Sequence, residues 1–406
     1  MNYRDKSLCR VRTVTLFLSL NKDRTSWNTA LQCAKQEFDL LVPALQQKGY
    51  EVQSIRIVTN PFGEYLDLTD MDTAKADLAY LQQLLLQLND SGLRIRFAIG
   101  EAKTAQEIEM LPELIADYGD LCNACVNVEL DSNGILDNKV LLQSAKIVKR
   151  IAQITSRGEG NFNFTVNFNC KPFIPYFPAG YHRSELPNSF VIGFETPDLL
   201  VSVLKNIPKA EHNVFFEQCY QAMSQALQYH VDQVLDAIQS TALSGNFQFA
   251  GIDSSAAPSK NCASMTQVYE LIGVPFFGAS GTVEASSLLT KVFKSVKNVP
   301  LVGFSGLMLA VVEDTGLAQG TEKSQYDIRA LLTYSAVCGI GLDTVPIPDN
   351  TTVEQIAALM RDTGTMAFRL NKPLTVRLFP IPGRQAEEMT YFESDDLCNS
   401  RILAVS

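Results

Sequence analysis

Phe249-Ala-Gly-Ile-Asp253, Leu307-Met-Leu-Ala-Val-Val-Glu-Asp314, Gly341-Leu-Asp343 and Leu374-Thr-Val-Arg-Leu-Phe379, the last running on into Pro380-Ile-Pro-Gly-Arg384, are four strand-like runs. Each ends in a polar or charged residue beside Gly, Pro or Ser. Runs of this kind alternate here with helical stretches, and a strand that reaches its neighbour through a helical crossover lies parallel to it. Parallel strands bring the side chains at their carboxyl ends to one rim, where ligands bind. A site on that rim is the expectation, with the reaction left open.

The same alternation extends outward through the chain. In the front half, apolar β-rich runs at 11–20, 51–58, 93–99, 124–128 and 162–168 are separated by helical-period runs at 27–47, 72–88, 104–118 and 138–156. A long stretch at 211–240, rich in Ala, Gln and Leu and without Pro or Gly, divides this half from the next. Strands at 247–253, 299–312, 341–345 and 374–379 then alternate with helices at 282–296, 325–338 and 353–370. Nine or ten strands in an α/β pattern predict a closed or nearly closed α/β barrel. The expected organisation is one domain over 1–406, with a front half at about 1–206, the long helix at 211–240 and a back half at 247–406.

Composition narrows the class of partner. The 406 residues are 46% hydrophobic and 19% charged, with a formal net charge of −10, the profile of a folded globular protein. An acidic chain lacks the basic footprint that nucleic acid or an anionic membrane requires. Any anionic ligand must therefore be held by local Arg and Lys. No stretch reaches 18 uninterrupted apolar residues, and Met1-Asn-Tyr-Arg-Asp-Lys6 lacks the basic-then-apolar order of a signal peptide. The expectation is a cytoplasmic protein. Nine cysteines, an odd number without regular spacing, read as reduced thiols. Cys122-Asn-Ala-Cys125 is a lone pair without the context of a metal or redox motif.

Asp253, Glu313, Asp314 and Asp343 follow or end separate predicted strands. Carboxylates gathered at one mouth must share a cation, share a proton or meet a basic partner. The competing reading is that each caps the helix or turn that follows. His182 closes a loop with three prolines and several aromatics, Asn169 to Arg183, which suits a lid, and it is the candidate for proton transfer. The alternative is a histidine that only bonds a carbonyl. Asn169, at the start of that loop, is a candidate substrate contact. Cys170 and Cys262 are nucleophiles only if their pKa values are depressed. Gly278-Ala-Ser-Gly281-Thr282 before a helical run offers free N–H groups to an anion, unless Ser280 or Thr282 merely caps. Arg12, Arg56, Arg377 and Arg384 fall in or just after strand runs. An arginine there needs a carboxylate or a ligand anion to pair with.

Together, Phe249-Ala-Gly-Ile-Asp-Ser-Ser-Ala-Ala-Pro258, the Gly281-Thr282 loop, the Glu313-Asp314 pair, Gly341-Leu-Asp-Thr-Val-Pro-Ile-Pro348 and Val376-Arg-Leu-Phe-Pro-Ile-Pro-Gly383 resemble the domain of unknown function 711 family of bacteria and archaea. That resemblance implies a ten-stranded α/β barrel like that of pyruvate formate-lyase and the glycyl-radical enzymes. It also implies a functional link to a small ACT-domain protein. The radical chemistry does not follow, since the tail reads Pro382-Gly-Arg-Gln-Ala-Glu-Glu388 and no Cys is placed for a thiyl role. The expected function is a non-radical enzyme acting on a small anionic metabolite. Asp253, Glu313, Asp314 and His182 would serve as acid and base, and Arg56, Arg377, Gly281, Thr282 and Asn169 would bind substrate. Asp253, Glu313 and Asp343 would hold a divalent cation, Mg or Ca. The alternative is a metabolite-binding regulatory protein without catalysis, and in either case a homo-oligomer is expected.

Overall fold

A computed structural model describes residues 3–89 and 92–406, so Met1 and Asn2 of the opening hexapeptide lie outside it. Among the described residues, nine strands form one sheet: β1 Arg10–Leu18, β2 Ile55–Thr59, β3 Ile95–Glu101, β4 Asn123–Val128, β5 Phe164–Phe168, β6 Ser189–Glu195, β7 Gln248–Asp253, β8 Gly341–Pro348 and β9 Leu374–Ile381. Their order is β7-β6-β1-β2-β3-β4-β5-β9-β8.

Strands β1 to β5 are mutually parallel, joined by the helices Trp27–Gln47, Met71–Leu88, Ala105–Tyr118 and Asn138–Ile154. β6 is antiparallel to β1, and β9 is antiparallel to β5. β7 follows the direction of β6, and β8 that of β9. The sheet thus contains two sets of opposite direction. The carboxyl ends of β1 to β5 and those of β6 to β9 emerge at opposite edges, which corrects the expectation of a single rim.

Local chemistry sets several helix starts. Thr104 and Thr352 close capping boxes with Glu107 and Gln355, and Asp70, Asp137 and Asp327 accept from first-turn amides. β2, β5, β6, β8 and β9 are buried on both faces, so they read as nearly unbroken apolar runs. The long helix is His212–Gln239. Among the described residues, no helix is long and apolar enough to cross a membrane.

Three short helices, Pro197–Leu204, Met265–Ile272 and Thr315–Glu322, are absent from the predicted pattern, and two strand assignments depart from it. β6 is missing from the sequence reading because it lies between a proline-rich stretch and Pro197 and contains Gly193. That glycine is required, since a Cβ there would lie 2.7 Å from the Tyr176 hydroxyl. Residues 299–312, predicted as a strand, form none. Gly303 and Ser305 have φ of +62° and +39°, and Gly306 abuts Gly339, where a Cβ would come within 2.9 Å of the opposing Cα. The segment instead makes one parallel bridge at each end, Leu301 to Ile252 of β7 and Ala310 to Asp343 of β8. It therefore joins the two outermost strands of the sheet.

The loop from Asn169 to Arg183 is not an external lid. Phe173 and Phe177 pack on Phe17, Val58, Ala98 and Val191, which share one face of β1, β2, β3 and β6. Strands from both sets hold the loop down. Thr15 Oγ1 donates to the Pro175 carbonyl at 2.9 Å, Asn167 Nδ2 to the Ala179 carbonyl at 3.0 Å, and the Tyr176 hydroxyl to the Phe194 carbonyl at 3.3 Å. The apolar residues that suggested a cover instead make a floor.

Candidate functional site

Above that floor lies a cavity of about 710 Å³ whose lining includes Arg12, Arg56, Phe177, Glu313, Asp343 and Arg377. Side chains two apart on a strand share a face, so Arg56 projects from the same side of β2 as Val58. Parallel pairing places Arg56 level with Thr15 on one side and Arg96 on the other. Arg94 and Arg96, near the start of β3, also border the cavity. The site therefore sits at the amino ends of β1 to β3, where the oppositely directed β8 and β9 contribute Asp343 and Arg377.

Arg377 bridges two carboxylates. Its Nε donates to Asp343 Oδ1 at 2.7 Å and its Nη2 to Glu313 Oε1 at 2.5 Å, while the guanidinium lies 5.0 Å from the Phe162 ring centre. Burial opposes its charge, but Asp343 and Glu313 together outweigh that and hold its pKa above the ordinary value. The Glu313 carboxyl is pushed up, first by burial and then by Asp343, against the pull of Arg377. Among the described residues, Glu313 Oε2 and Asp343 Oδ2 receive no hydrogen bond.

Arg56 has no such partner. It is 7% exposed and makes one side-chain hydrogen bond, Nε to Ser54 Oγ at 3.3 Å. Its guanidinium sits 5.0 Å from the Phe177 ring centre. No carboxylate among the described residues comes within ion-pair distance of it. Burial, then Arg12 and Arg96, lower its pKa to about 9, which leaves it charged at neutral pH. Its neighbours are already engaged: Arg12 lies 3.8 Å from Glu195, which also pairs with Arg10, and Arg96 lies 3.9 Å from Asp396. A buried guanidinium without a counter-charge, beside two further arginines, is costly.

The other predicted site residues are placed elsewhere. Asp253 is fully buried and is not part of the cavity lining. It accepts from the amides of Ser255, Phe304 and Ser305 at 3.0, 2.8 and 3.1 Å and from the Ser255 hydroxyl at 2.6 Å. Asp253 thereby pins the 303–306 turn, which carries Phe304 to the cavity wall. Asp314 is the N-cap of the helix Thr315–Glu322 and also accepts from Met265 N and from the Ser264 hydroxyl. For these two, the capping alternative holds. Asp343 lies third in β8, not at its end.

His182 is fully buried between Phe17 and Phe173, and neither ring nitrogen has a partner among the described residues. Burial lowers its pKa to about 4, so the ring is neutral and faces apolar neighbours instead of the cavity. Thr282 caps its own turn, accepting from Gly278 N at 3.0 Å and donating to the Ala279 carbonyl at 2.7 Å. Gly281 borders a separate outer groove. Asn169 bonds Asn371 and the Lys372 carbonyl at the other edge of the sheet. Burial pushes the Cys170 and Cys262 thiols up to about 12, which keeps them protonated.

A divalent cation does not fit the three carboxylates proposed for it. Asp253 is saturated by donors, and Arg377 stands between Glu313 and Asp343. Among the described residues, no group of three or more metal-binding side chains converges. The sequence reading singled out Arg12 and Arg56 but missed Arg94 and Arg96, which complete the run of arginines along this wall. Its signal was visible: an Arg among the first residues of three successive apolar strands.

The family described as Uncharacterised ACR (DUF711) matches residues 4–394. The chain belongs to this family. Similar DUF711 relatives include a UPF0210 protein of Pyrobaculum aerophilum, 30% identical over 227 residues, or 54% of this chain and 49% of that one. A UPF0210 protein of Desulforudis audaxviator is 28% identical over 292 residues, 70% and 63% of the two chains. One from Ligilactobacillus salivarius is 27% identical over 290 residues, again 70% and 63%. The chain therefore spans about half to less than two thirds of the length of these relatives.

Asp253 gives the DUF711 chain a signed pH response. Burial raises its pKa from 3.8 to about 6 against the hydrogen bonds that lower it. The folded state therefore binds the proton more tightly, and the associated stability is present below about pH 3.8 and lost as pH rises through 6. Asn at this position does not titrate. Urea denaturation at stepped pH should show wild type gaining on Asp253→Asn by about 2–3 kcal/mol from pH 7 to pH 4. A pH-independent difference would refute the assignment.

Proposed function

We propose that the cavity binds a small anionic metabolite through Arg56 and that the protein is an enzyme acting on it by acid–base chemistry, with Glu313 as the proton-moving group. The unpaired, buried Arg56 guanidinium carries this reading, because only a ligand anion supplies the partner it lacks. Glu313 supports the chemistry. Burial raises the pKa of its carboxyl, one oxygen is fixed by Arg377, the other receives no hydrogen bond among the described residues, and the residue lines the cavity. Arg377 would be the positioning residue that holds Glu313 and Asp343 in place.

The proposed architecture is a single barrel closed through residues 300–311, as in the pyruvate formate-lyase-like fold. Two observations support it: one segment bridges the outermost strands β7 and β8, and a contiguous apolar core includes residues from both halves of the chain. Closure would make the arginine-lined face an interior.

Incubating the purified full-length chain with a deproteinised cell extract, followed by mass spectrometry of bound and free metabolites, tests the function. The expected result is an enriched carboxylate or phosphate compound that disappears with time, with turnover abolished by Glu313→Gln. Recovery of that compound unchanged after long incubation would refute catalysis and leave binding. Enrichment of no anion over an Arg56→Met control would refute both.

A further inference from the structure

The cavity presents two unmet needs of opposite kind. On the β2 wall, the terminal nitrogens of Arg56 are donors without an acceptor. On the β8 and β9 wall, Arg377 satisfies one oxygen of each carboxylate, leaving Glu313 Oε2 and Asp343 Oδ2 as acceptors without a donor. Charge follows the same division. Two carboxylates share one guanidinium on the second wall, a net excess of one negative charge, while Arg56 is an uncompensated positive charge. A ligand that is only an anion satisfies the first wall and leaves the second unmet.

We propose that the ligand is an amino carboxylate, its carboxylate bound by Arg56 and its ammonium by Glu313 and Asp343. This deepens the proposed function and rests on its anion site. An ammonium group has three N–H donors and no acceptor, which matches a wall offering two free carboxylate oxygens. A carboxylate matches the flat guanidinium fork of Arg56, which Phe177 backs at 5.0 Å. The two poles line one cavity, with Arg56 on one wall and Glu313 and Asp343 on the other. A cavity of about 710 Å³ leaves room for a side chain.

The test uses the full chain and matched probes: mixtures of the common α-amino acids, and the same carboxylates without the ammonium group, such as propionate, isocaproate, glutarate and hydrocinnamate. Saturation-transfer NMR identifies binders and calorimetry measures them. At least one amino acid should bind about ten-fold or more tightly than its deamino partner, the effect of one charge-assisted hydrogen bond. Glu313→Gln should remove that difference while the plain carboxylate binds no more weakly than to wild type, and circular dichroism confirms that the variant is folded. Equal binding of both probe classes, lost in Arg56→Met, would overturn the amino carboxylate while leaving the anion site intact. Binding of neither class would overturn both.

Discussion

Arg56→Met should make the ligand-free protein more stable while removing its affinity for an anion. Most buried arginines give the opposite result, because truncating one leaves a carboxylate stranded. Arg56 strands no carboxylate, since among the described residues its only side-chain hydrogen bond is to Ser54 and its neighbours on the cavity wall include Arg12 and Arg96. Methionine keeps an apolar stem against Phe177 and ends the like-charge repulsion. We expect the urea midpoint to rise, corresponding to about 1–3 kcal/mol. Anion affinity should fall by about 2–5 kcal/mol, roughly 30-fold or more. A loss of ligand-free stability would show that Arg56 serves the fold, and the site reading would fail.

Arg377→Met should act in the other direction. It would leave Glu313 and Asp343 buried together without a counter-charge, at an expected cost of about 3–5 kcal/mol at neutral pH. The pH dependence has a definite sign. Glu313 is already raised by burial with Arg377 present, and removing the guanidinium raises it further. A carboxyl whose folded pKa exceeds its unfolded one stabilises the folded state at low pH and loses that contribution as pH rises. The deficit of Arg377→Met should therefore shrink on acidification. Adding Glu313→Gln and Asp343→Asn to the same chain should recover most of the loss at neutral pH. Denaturant titrations at two pH values decide it, and a deficit independent of pH would sink the three-residue arrangement.

Much of the framework was legible in one dimension. The helix Trp27–Gln47 falls where its apolar periodicity places it, and Val353–Arg369 where periodicity and the Thr352–Gln355 capping box place it, because both signals are local. The strands β2, β5 and β9 are apolar runs because each is buried on two faces. Arg56 and Arg377 stood out because a charge in such a run demands a partner. The 299–312 run has the same apolar composition but contains Gly303, Ser305 and Gly306, whose turn forms only because Asp253 supplies the acceptor from a distant strand. That dependence cannot be seen within the run itself.

Sequence alone determined that this is an α/β protein of alternating elements, that its acidic surface needs local arginines to hold an anion, and that Arg56 and Arg377 require explanation. Only tertiary structure decided which of them has a partner. The pairing of β8 with β9 placed Asp343 beside Arg377, the turn after Ala310 brought in Glu313, the register of β2 on β3 aligned Arg56 with Arg96, and loop packing made Asp253 and Asp314 acceptors for backbone amides. Charge pairing depends on separation in space, and residues 56, 313, 343 and 377 acquire their separations only when oppositely directed strands meet in one sheet.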